Sequence, residues 1–199
     1  MKGFTLIESM IAVTILTLSI AGPLYTANSA IVASMTARDQ LTASYLAQEG
    51  IEYVRAMRDY EYLAAYHLGG GSVSADAWSN FLTGSMPGHP GAVTQCRTMA
   101  CSIDTTRDMG YGSGSSIFQC TDGGACAKLY LLASGIYATN RSSSSGTATA
   151  FSRTIQVVDI PGTGGNPLYP DKRIISIVSW DYHGIQHAVT VYDHLTPWQ

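Results

Sequence analysis

The first third of the chain is dominated by one long apolar run. Between residues 4 and 33 nearly every position is apolar or small, and no formal charge occurs from Ser9 to Ala37. About 20 consecutive apolar residues in an α-helix are enough to cross a hydrocarbon layer of ~30 Å. We therefore predict a helix over 4–33 that reaches a membrane, weakened locally where Pro23 in Gly22-Pro23 removes a backbone hydrogen bond.

Residues 34–66 keep the spacing of a helix, with polar residues on one face and apolar residues on the other. The polar positions are Gln48, Glu52, Arg55 and Asp59. The apolar positions are Leu46, Gly50, Tyr53, Met57, Tyr60 and Ala64. These spacings predict an amphipathic helix with the surface ion pairs Glu52–Arg55 and Arg55–Asp59. We expect the helix to end before the glycines at 69–71, which cannot sustain it.

Residues 67–127 are rich in Gly, Ser, Asp and Thr and show little periodicity. They predict a long loop region, poor in core residues, with short helical or strand pieces around 78–82. Exposed loops carry recognition more often than packed strands do. This region is therefore the expected location of any binding that is particular to this protein.

All four cysteines lie in this region. They are Cys96, Cys101, Cys120 and Cys126. Their spacing lacks the C-x₂-C pairs typical of zinc sites, and no histidines cluster nearby. Disulfides suit the pattern better, because the chain beyond a membrane helix faces an oxidising compartment. Four cysteines allow three connectivities; we favour the local bridges Cys96–Cys101 and Cys120–Cys126, and crossed or nested bridges stay open.

From residue 128 onward the period changes to two, which is typical of β-strands. Strands are predicted over 128–139, 150–160, 171–181 and 185–195. The last two form a hairpin across Tyr182-His183-Gly184. One face of this antiparallel sheet, formed by residues 128–199, should cover the apolar face of the helix. The predicted fold class is α+β: a long N-terminal α-helix, half transmembrane and half amphipathic, packed on a C-terminal antiparallel β-sheet.

Composition argues against several classes of function. Charged residues make up 13% of the chain, about half of the usual quarter, and the formal net charge is −3. A broad basic face is therefore not expected, and we predict no specific nucleic-acid partner. No phosphate-binding glycine loop and no nucleophile elbow occurs in the sequence. We predict no enzyme, no catalytic residue and no cofactor.

A metal site near the C terminus is conceivable but not predicted. The residues concerned are His183, His187 and His194, together with Asp181 and Asp193. His187 and His194 are separated by an odd number of residues and would point to opposite sides of a regular strand. We interpret these histidines as structural or solvated.

The apolar run has two competing interpretations, a secretory signal peptide that is removed or a helix that stays. Lys2 and the small residues Ser19 and Ala21 fit a signal peptide. Glu8 inside the apolar core and Pro23 just after the expected cut disagree with it. An unpaired carboxylate in lipid costs several kcal/mol, so we favour a helix that is retained and whose Glu8 finds a partner.

The segment Gly3-Phe4-Thr5-Leu6-Ile7-Glu8, preceded by a short basic leader, resembles the processing motif of type IV prepilins and of the pseudopilins of type II secretion. The resemblance implies that a prepilin peptidase cuts between Gly3 and Phe4 and N-methylates Phe4. Residues 1–3 are then the leader, kept cytoplasmic by Lys2. Glu8 becomes the fifth mature residue, and its implied partner is the α-amino group of a neighbouring subunit's Phe4.

The C-terminal residues extend the resemblance. The step Val178-Ser179-Trp180 and the closing Leu195-Thr196-Pro197-Trp198 are similar to the ends of PilV-type minor pilins. This implies a minor pilin that is held in the bacterial inner membrane as a single-pass precursor, in contact with lipid, and is then built into an extracellular pilus. The implied partners are the prepilin peptidase, other pilin subunits and the inner-membrane pilus assembly machinery.

Two other functions stay open. The same N-terminal motif fits a pseudopilin of type II secretion or of competence, and a secreted enzyme or binding domain behind an ordinary signal peptide is the alternative of another class. The last differs in its mature N terminus, which would lie near Gly22 and not at Phe4.

Overall fold

The computed structural model describes residues 5–69, 71–84, 93–107, 116–120, 126, 128–139, 146–160 and 171–197. The chain divides into two compact units, Met1–Thr42 and Ala43–Gln199. Helix α1, Leu6–Leu68, contributes to both of them. It ends at Leu68, and Gly69 follows in the left-handed conformation with φ of 67°, so the glycine run stops the helix as predicted. Pro23 lies inside α1 and does not divide it.

In the second unit, two short helices and an antiparallel sheet follow α1. The helices are α2 (Val73–Thr83) and α3 (Thr94–Thr98). The strands are β1 (Cys101–Ile103), β2 (Ile117–Gln119), β3 (Lys128–Leu131), β4 (Tyr137–Ala138), β5 (Thr147–Asp159), β6 (Lys172–Tyr182) and β7 (Ile185–Leu195). This architecture, a long N-terminal helix packed on a C-terminal antiparallel sheet, confirms the α+β, pilin-like fold class.

Strand β5 is the centre of the sheet. One of its edges pairs with β6, which pairs with β7. Its other edge is shared by two hairpins: β3–β4 pairs with the first half of β5 and β1–β2 with the second half. The sheet is therefore continuous on one side of β5 and split on the other.

The face of α1 that is buried in the second unit differs in part from the predicted one. Its buried residues are Ala43, Leu46, Ala47, Gly50, Ile51, Val54, Met57, Glu61 and Ala65. The predicted apolar residues that are only half-buried are Tyr53, Tyr60 and Ala64. The tyrosines lie at the margin of the contact because the stripe passes through Val54, whose small side chain allows close packing on the sheet. Glu61 is buried because it accepts a hydrogen bond from Asn80 Nδ2 of α2.

The prediction that residues 67–127, a loop region with short helical or strand pieces, are poor in core residues was wrong for the part of this region that the structure describes. Residues of this region that are buried in the main core with Val54 and Met57 are Trp78, Phe81, Leu82, Val93, Cys96, Cys101, Ile103 and Ile117. The helical piece expected around 78–82 is present as α2. The other elements, α3, β1 and β2, are only three to five residues long, which is too short for periodicity to identify them.

The strand predicted over 128–139 is a hairpin. Gly135 adopts φ of 83°, and Leu132 donates its N–H to the Ile136 carbonyl at 2.9 Å, which closes the turn between β3 and β4. Strand β5 begins at Thr147, three residues before the predicted start. The hairpin of β6 and β7 lies as predicted, and its turn residues His183 and Gly184 both have positive φ, 52° and 80°.

Gly50 is the point of closest approach between α1 and the sheet. A Cβ built there would lie 2.9 Å from Ile155 Cδ1 and 3.0 Å from Ser176 Oγ. Because neighbours so closely packed must shift, Gly50→Ala should lower the free energy of unfolding by about 1–3 kcal/mol. Urea unfolding of the mature chain in detergent measures it. Gly71→Ala is the control, since no atom lies within 4 Å of its Cβ; equal stability of the two variants would contradict the packing argument.

Candidate functional site

The predicted processing residues Gly3 and Phe4 lie outside the described residues, so their role stays a prediction. Glu8 is described and lies in the first turn of α1, where its N–H donates to the Thr5 carbonyl at 3.1 Å. A carboxylate at this end interacts favourably with the helix dipole, by about 0.3–1 kcal/mol at an exposed position. The Glu8 side chain is exposed, and among the described residues none pairs with its carboxylate. It is therefore open to a partner from another molecule.

The first unit exposes apolar side chains on all sides of the helix. The exposed large ones are Leu6, Ile7, Met10, Ile11, Val13, Ile15, Leu16, Leu18, Ile20, Leu24, Tyr25, Ile31, Val32, Met35 and Leu41. A helix that is apolar all round belongs in lipid or among other helices. Helix α1 is long and apolar enough to cross a membrane, with a mean hydropathy of 1.7 over its most apolar window.

Six hydroxyl residues within this apolar stretch donate to carbonyls of the helix itself. Each donates to the carbonyl three residues earlier, at 2.8 to 3.0 Å. The donors are Ser9, Thr14, Thr17, Ser19, Thr26 and Ser29. In lipid an unsatisfied polar group costs several kcal/mol, so these bonds lower the cost of the six hydroxyls, and Glu8 is the formally charged residue of the stretch.

In the second unit, Arg153 occupies the split on the edge of β5. The neighbour of β5 changes there, from β3 opposite Ser152 to β1 opposite Ile155. The Arg153 side chain is fully buried, and its Nη2 donates to the Ile103 carbonyl of β1 at 2.8 Å. Its Nη1 donates to the Leu46 carbonyl and to Glu49 Oε2 of α1, at 3.2 and 2.7 Å. One guanidinium thus joins α1, β1 and β5.

Arg55 makes a second connection between α1 and the sheet. Its Nε and Nη2 donate to the two carboxylate oxygens of Asp193 on β7, at 2.8 and 2.9 Å. The predicted pair with Glu52 is present at 2.5 Å, whereas Asp59 pairs with Arg58 and not with Arg55. The prediction failed because β7 offers Arg55 a bidentate partner, which also raises the Arg55 pKa above its ordinary value.

Lys172 is a buried basic residue at the start of β6. Its Nζ lies 2.6 Å from Asp159 Oδ1 at the end of β5. This hydrogen bond lowers the pKa of the Asp159 carboxyl below its ordinary value. The pair therefore closes the far end of the β5–β6 ladder with a charge-assisted contact.

The structure pairs the cysteines locally. The Cα atoms of Cys96 and Cys101 are 4.9 Å apart and their disulfide joins α3 to β1. The Cα atoms of Cys120 and Cys126 are 4.5 Å apart, and Cys126 Sγ lies 3.3 Å from Thr154 Oγ1 of β5. Both pairs restrain short segments beside the split edge of β5.

The C-terminal histidines do not form a cluster. The His187 ring stacks on Trp180, with centroids 5.5 Å apart, while His194 is exposed on the opposite face of β7 and His183 lies in the turn. In the part of the chain that the structure describes, no group of three or more His, Cys, Asp or Glu side chains is placed to hold a metal ion.

Sequence reasoning missed Arg153, Lys172 and Glu61. Arg153 carried a usable signal, because it interrupts the inward-facing series Phe151, Ile155 and Val157 of an alternating strand. A basic residue at an inward position requires carbonyl or carboxylate partners. Lys172 and Glu61 carried the same kind of signal, since Lys172 begins the inward-facing series of β6 and Glu61 lies between Met57 and Ala65 on the buried face of α1.

Comparison with known proteins identifies one feature. The family model of the prokaryotic N-terminal methylation motif matches residues 1–22, which include Gly3, Phe4 and Glu8. No curated protein and no solved structure matches the chain. The match does not reach residues 178–198, which carry the likeness to PilV-type minor pilins.

Proposed function

We propose that this type IV pilin-like or pseudopilin-type chain is a minor pilin, cut between Gly3 and Phe4 and added to an extracellular filament. The observation that carries the proposal is the methylation motif at residues 1–22, placed on an apolar helix that continues into an α+β pilin-like fold. The subunit is structural, and its mechanism is assembly.

Processing occurs on the cytoplasmic side of the membrane. Lys2 holds the short leader on that side, and Gly3, which has no side chain, lets the extended leader lie close to the peptidase backbone. The cut leaves α1 intact because it falls before Leu6, where the helix begins. The new α-amino group belongs to Phe4, which prepilin peptidase then methylates.

Assembly transfers the helix from lipid to the filament core. The exposed apolar residues of the first unit suit both environments, because neither contains water. The Glu8 carboxylate pairs with the α-amino group of a neighbouring subunit's Phe4, since two opposite charges in a medium of low dielectric are tolerable only together. The pair fixes the axial register of the incoming subunit, which the inner-membrane assembly machinery presents to other pilins.

The second unit remains outside the membrane and is exposed on the filament. Arg153 and Arg55 attach the sheet to the helix at separate points. A firm attachment suits a subunit that is extracted from a membrane by its helix. The disulfides are compatible with the oxidising compartment on that side.

The mature N terminus tests the proposal. Mass spectrometry of the chain purified from membranes should find Phe4 as the first residue, carrying one added methyl group. Gly3→Arg should abolish cleavage, because a long side chain cannot occupy the site of a glycine against the peptidase. Gly71→Arg is the matched control, since Gly71 has open space around it, and this variant should run at mature size.

Other N termini would contradict the proposal. A chain beginning near Gly22 identifies a cleaved signal peptide, and a Gly3→Arg chain of mature size excludes processing at this junction. A pseudopilin shares the motif and is the second candidate; recovery of the mature chain with sheared extracellular fibres supports the pilin, and retention in the cell envelope supports the pseudopilin.

A further inference from the structure

Two hairpin tips lie at the same end of the second unit. Leu131, before the β3–β4 turn, is opposite Thr147 at the start of β5. In the β5–β6 ladder Ser152 is opposite Ser179, so Thr147 is level with Gly184 in the β6–β7 turn. Both turns therefore project from the sheet at the level where β5 begins.

Each tip exposes an isoleucine directly after a glycine with positive φ. Ile136 follows Gly135 and is 47% exposed; Ile185 follows Gly184 and is 63% exposed. Two more exposed apolar residues are near this end: Leu131 is opposite Thr147, and Tyr45 lies on α1 beside Ala43 and Leu46, which pack with Phe151 of the first half of β5. We name these four residues, Tyr45, Leu131, Ile136 and Ile185, the hairpin-tip surface.

Helix α1 passes this end of the sheet as it begins its course through the second unit. Ala43, Leu46 and Ala47 pack in one cluster with Phe151 and Trp180, whose strands adjoin the two turns. The hairpin-tip surface therefore lies where the chain from the first unit arrives.

Formal charge is absent from both tips. No Asp, Glu, Lys or Arg occurs from 129 to 139 or from 182 to 192. The charge next to the second tip, Asp181, accepts a hydrogen bond from the Gly184 N–H at 2.9 Å and so is used to close the turn. The turn residues Ser134 and His183 are polar, as turn residues ordinarily are; the exposed isoleucine that follows each turn is the feature that an aqueous location does not explain.

The chain itself limits where this surface can be. The charge-free run ends at Ala37, and the second unit begins six residues later at Ala43. Even fully extended, six residues span only about 20 Å. The headgroup region adds about 5–8 Å to each side of the hydrocarbon layer, so the hairpin-tip surface is tethered within reach of it.

We infer that the hairpin-tip surface lies in the headgroup region of the membrane that holds the precursor, an inference that rests on the proposed function for its membrane anchor. Tyrosine and aliphatic side chains suit this interface, which accepts apolar groups and polar tips together. A second copy of the chain suits the surface less well. Four side chains expose on the order of 400 Å², about half of what one partner contributes to a standard protein interface. The contact orients the second unit on the membrane before assembly.

Spin labels on the full mature chain, reconstituted in vesicles of phosphatidylethanolamine and phosphatidylglycerol, test the inference. In the part of the chain that the structure describes the native cysteines are all in disulfides, so an introduced cysteine takes the label. The measured quantity is the ratio of a label's accessibility to oxygen to its accessibility to a water-soluble nickel complex. This ratio should be severalfold higher for labels at Ile136→Cys and Ile185→Cys than for a label at Leu68→Cys. Leu68 is a suitable control because its exposed fraction, 63%, equals that of Ile185. It is the last residue of α1 and lies about 37 Å along the helix from Ala43, at 1.5 Å per residue.

A label at Ile15→Cys separates failure of this inference from failure of the proposed function. Lipid exposure at 15 with aqueous exposure at 136 and 185 overturns the inference alone. Aqueous exposure at 15 removes the membrane anchor and both proposals with it. Labels at 136 and 185 that are shielded from oxygen and nickel alike indicate a protein contact and also overturn the inference. The double variant Ile136→Ser/Ile185→Ser changes two exposed positions and should therefore leave the melting temperature unchanged. In this variant a label at Leu131→Cys should become accessible to the water-soluble nickel complex.

Discussion

A Glu8→Leu chain should be cleaved and methylated as the wild type is, yet enter filaments at a level at least about 100-fold lower. In the proposed filament Glu8 pairs with the α-amino group of a neighbouring subunit, so removing its carboxylate leaves that charge unpaired in a medium of low dielectric, at a cost of about 3 kcal/mol or more. The substitution makes the segment more apolar, so membrane insertion is preserved. The measurement is the ratio of the chain in sheared fibres to the chain in membranes, in cells whose only copy carries the substitution.

Glu52→Leu is the matched control for this experiment. Glu52 is on the same helix and its side chain is 64% exposed, but its partner is Arg55 at the surface, and exposed pairs contribute little. Wild-type levels of both variants in fibres would exclude the register role of Glu8. Accumulation of the Glu8→Leu precursor would instead assign Glu8 to recognition by the peptidase.

The sequence predicted the parts of this fold whose patterns are long. The apolar run that begins at Phe4 and the two-residue period from Ile185 to Leu195 extend over ten residues or more, so chance cannot easily imitate them. The processing motif was predictable for a different reason: it specifies residue types at fixed spacing, and the comparison with known families found it at residues 1–22.

The middle of the chain was not predictable because its elements are short. Strands β1 and β2 have three residues each, and their buried isoleucines, Ile103 and Ile117, are separated by a segment of mostly polar residues and glycine. A period requires more repeats than three residues supply. The local glycine-rich composition was correctly associated with turns, but composition does not indicate that the residues between the turns are buried.

The contact between helix and sheet depended on pairings across the sequence. The partner of Arg55 is Asp193, and the side chain that fills the split beside β5 comes from Arg153, whose acceptors are in α1 and β1. Such pairs join residues that are fifty or more positions apart, and only the tertiary fold brings them together. Local spacing therefore favoured the pair of Arg55 with Asp59, which the fold does not form.

The Arg153→Ala variant should be the least stable single substitution considered for the second unit, with a free energy of unfolding lower by about 2–4 kcal/mol. Alanine leaves a cavity beside β5 and removes the donor from the Ile103 and Leu46 carbonyls, both of which accept from the guanidinium within 3.2 Å. Total stabilities of domains are about 5–15 kcal/mol, so a large fraction is lost. Urea unfolding of the mature chain in detergent, followed by tryptophan fluorescence, measures the change.

Two further variants separate the guanidinium contacts from a general loss of charge or volume. Arg173→Ala removes an exposed arginine from the neighbouring strand β6 and should change stability by less than about 0.5 kcal/mol. Arg153→Lys keeps the charge but has no planar fork to serve α1 and β1 together, so it should recover only part of the loss. Equal stability of Arg153→Ala and Arg173→Ala would show that the guanidinium contacts of Arg153 do not stabilise the split edge of the sheet. A graded series from wild type through lysine to alanine would assign it to the guanidinium, which joins α1 to the sheet.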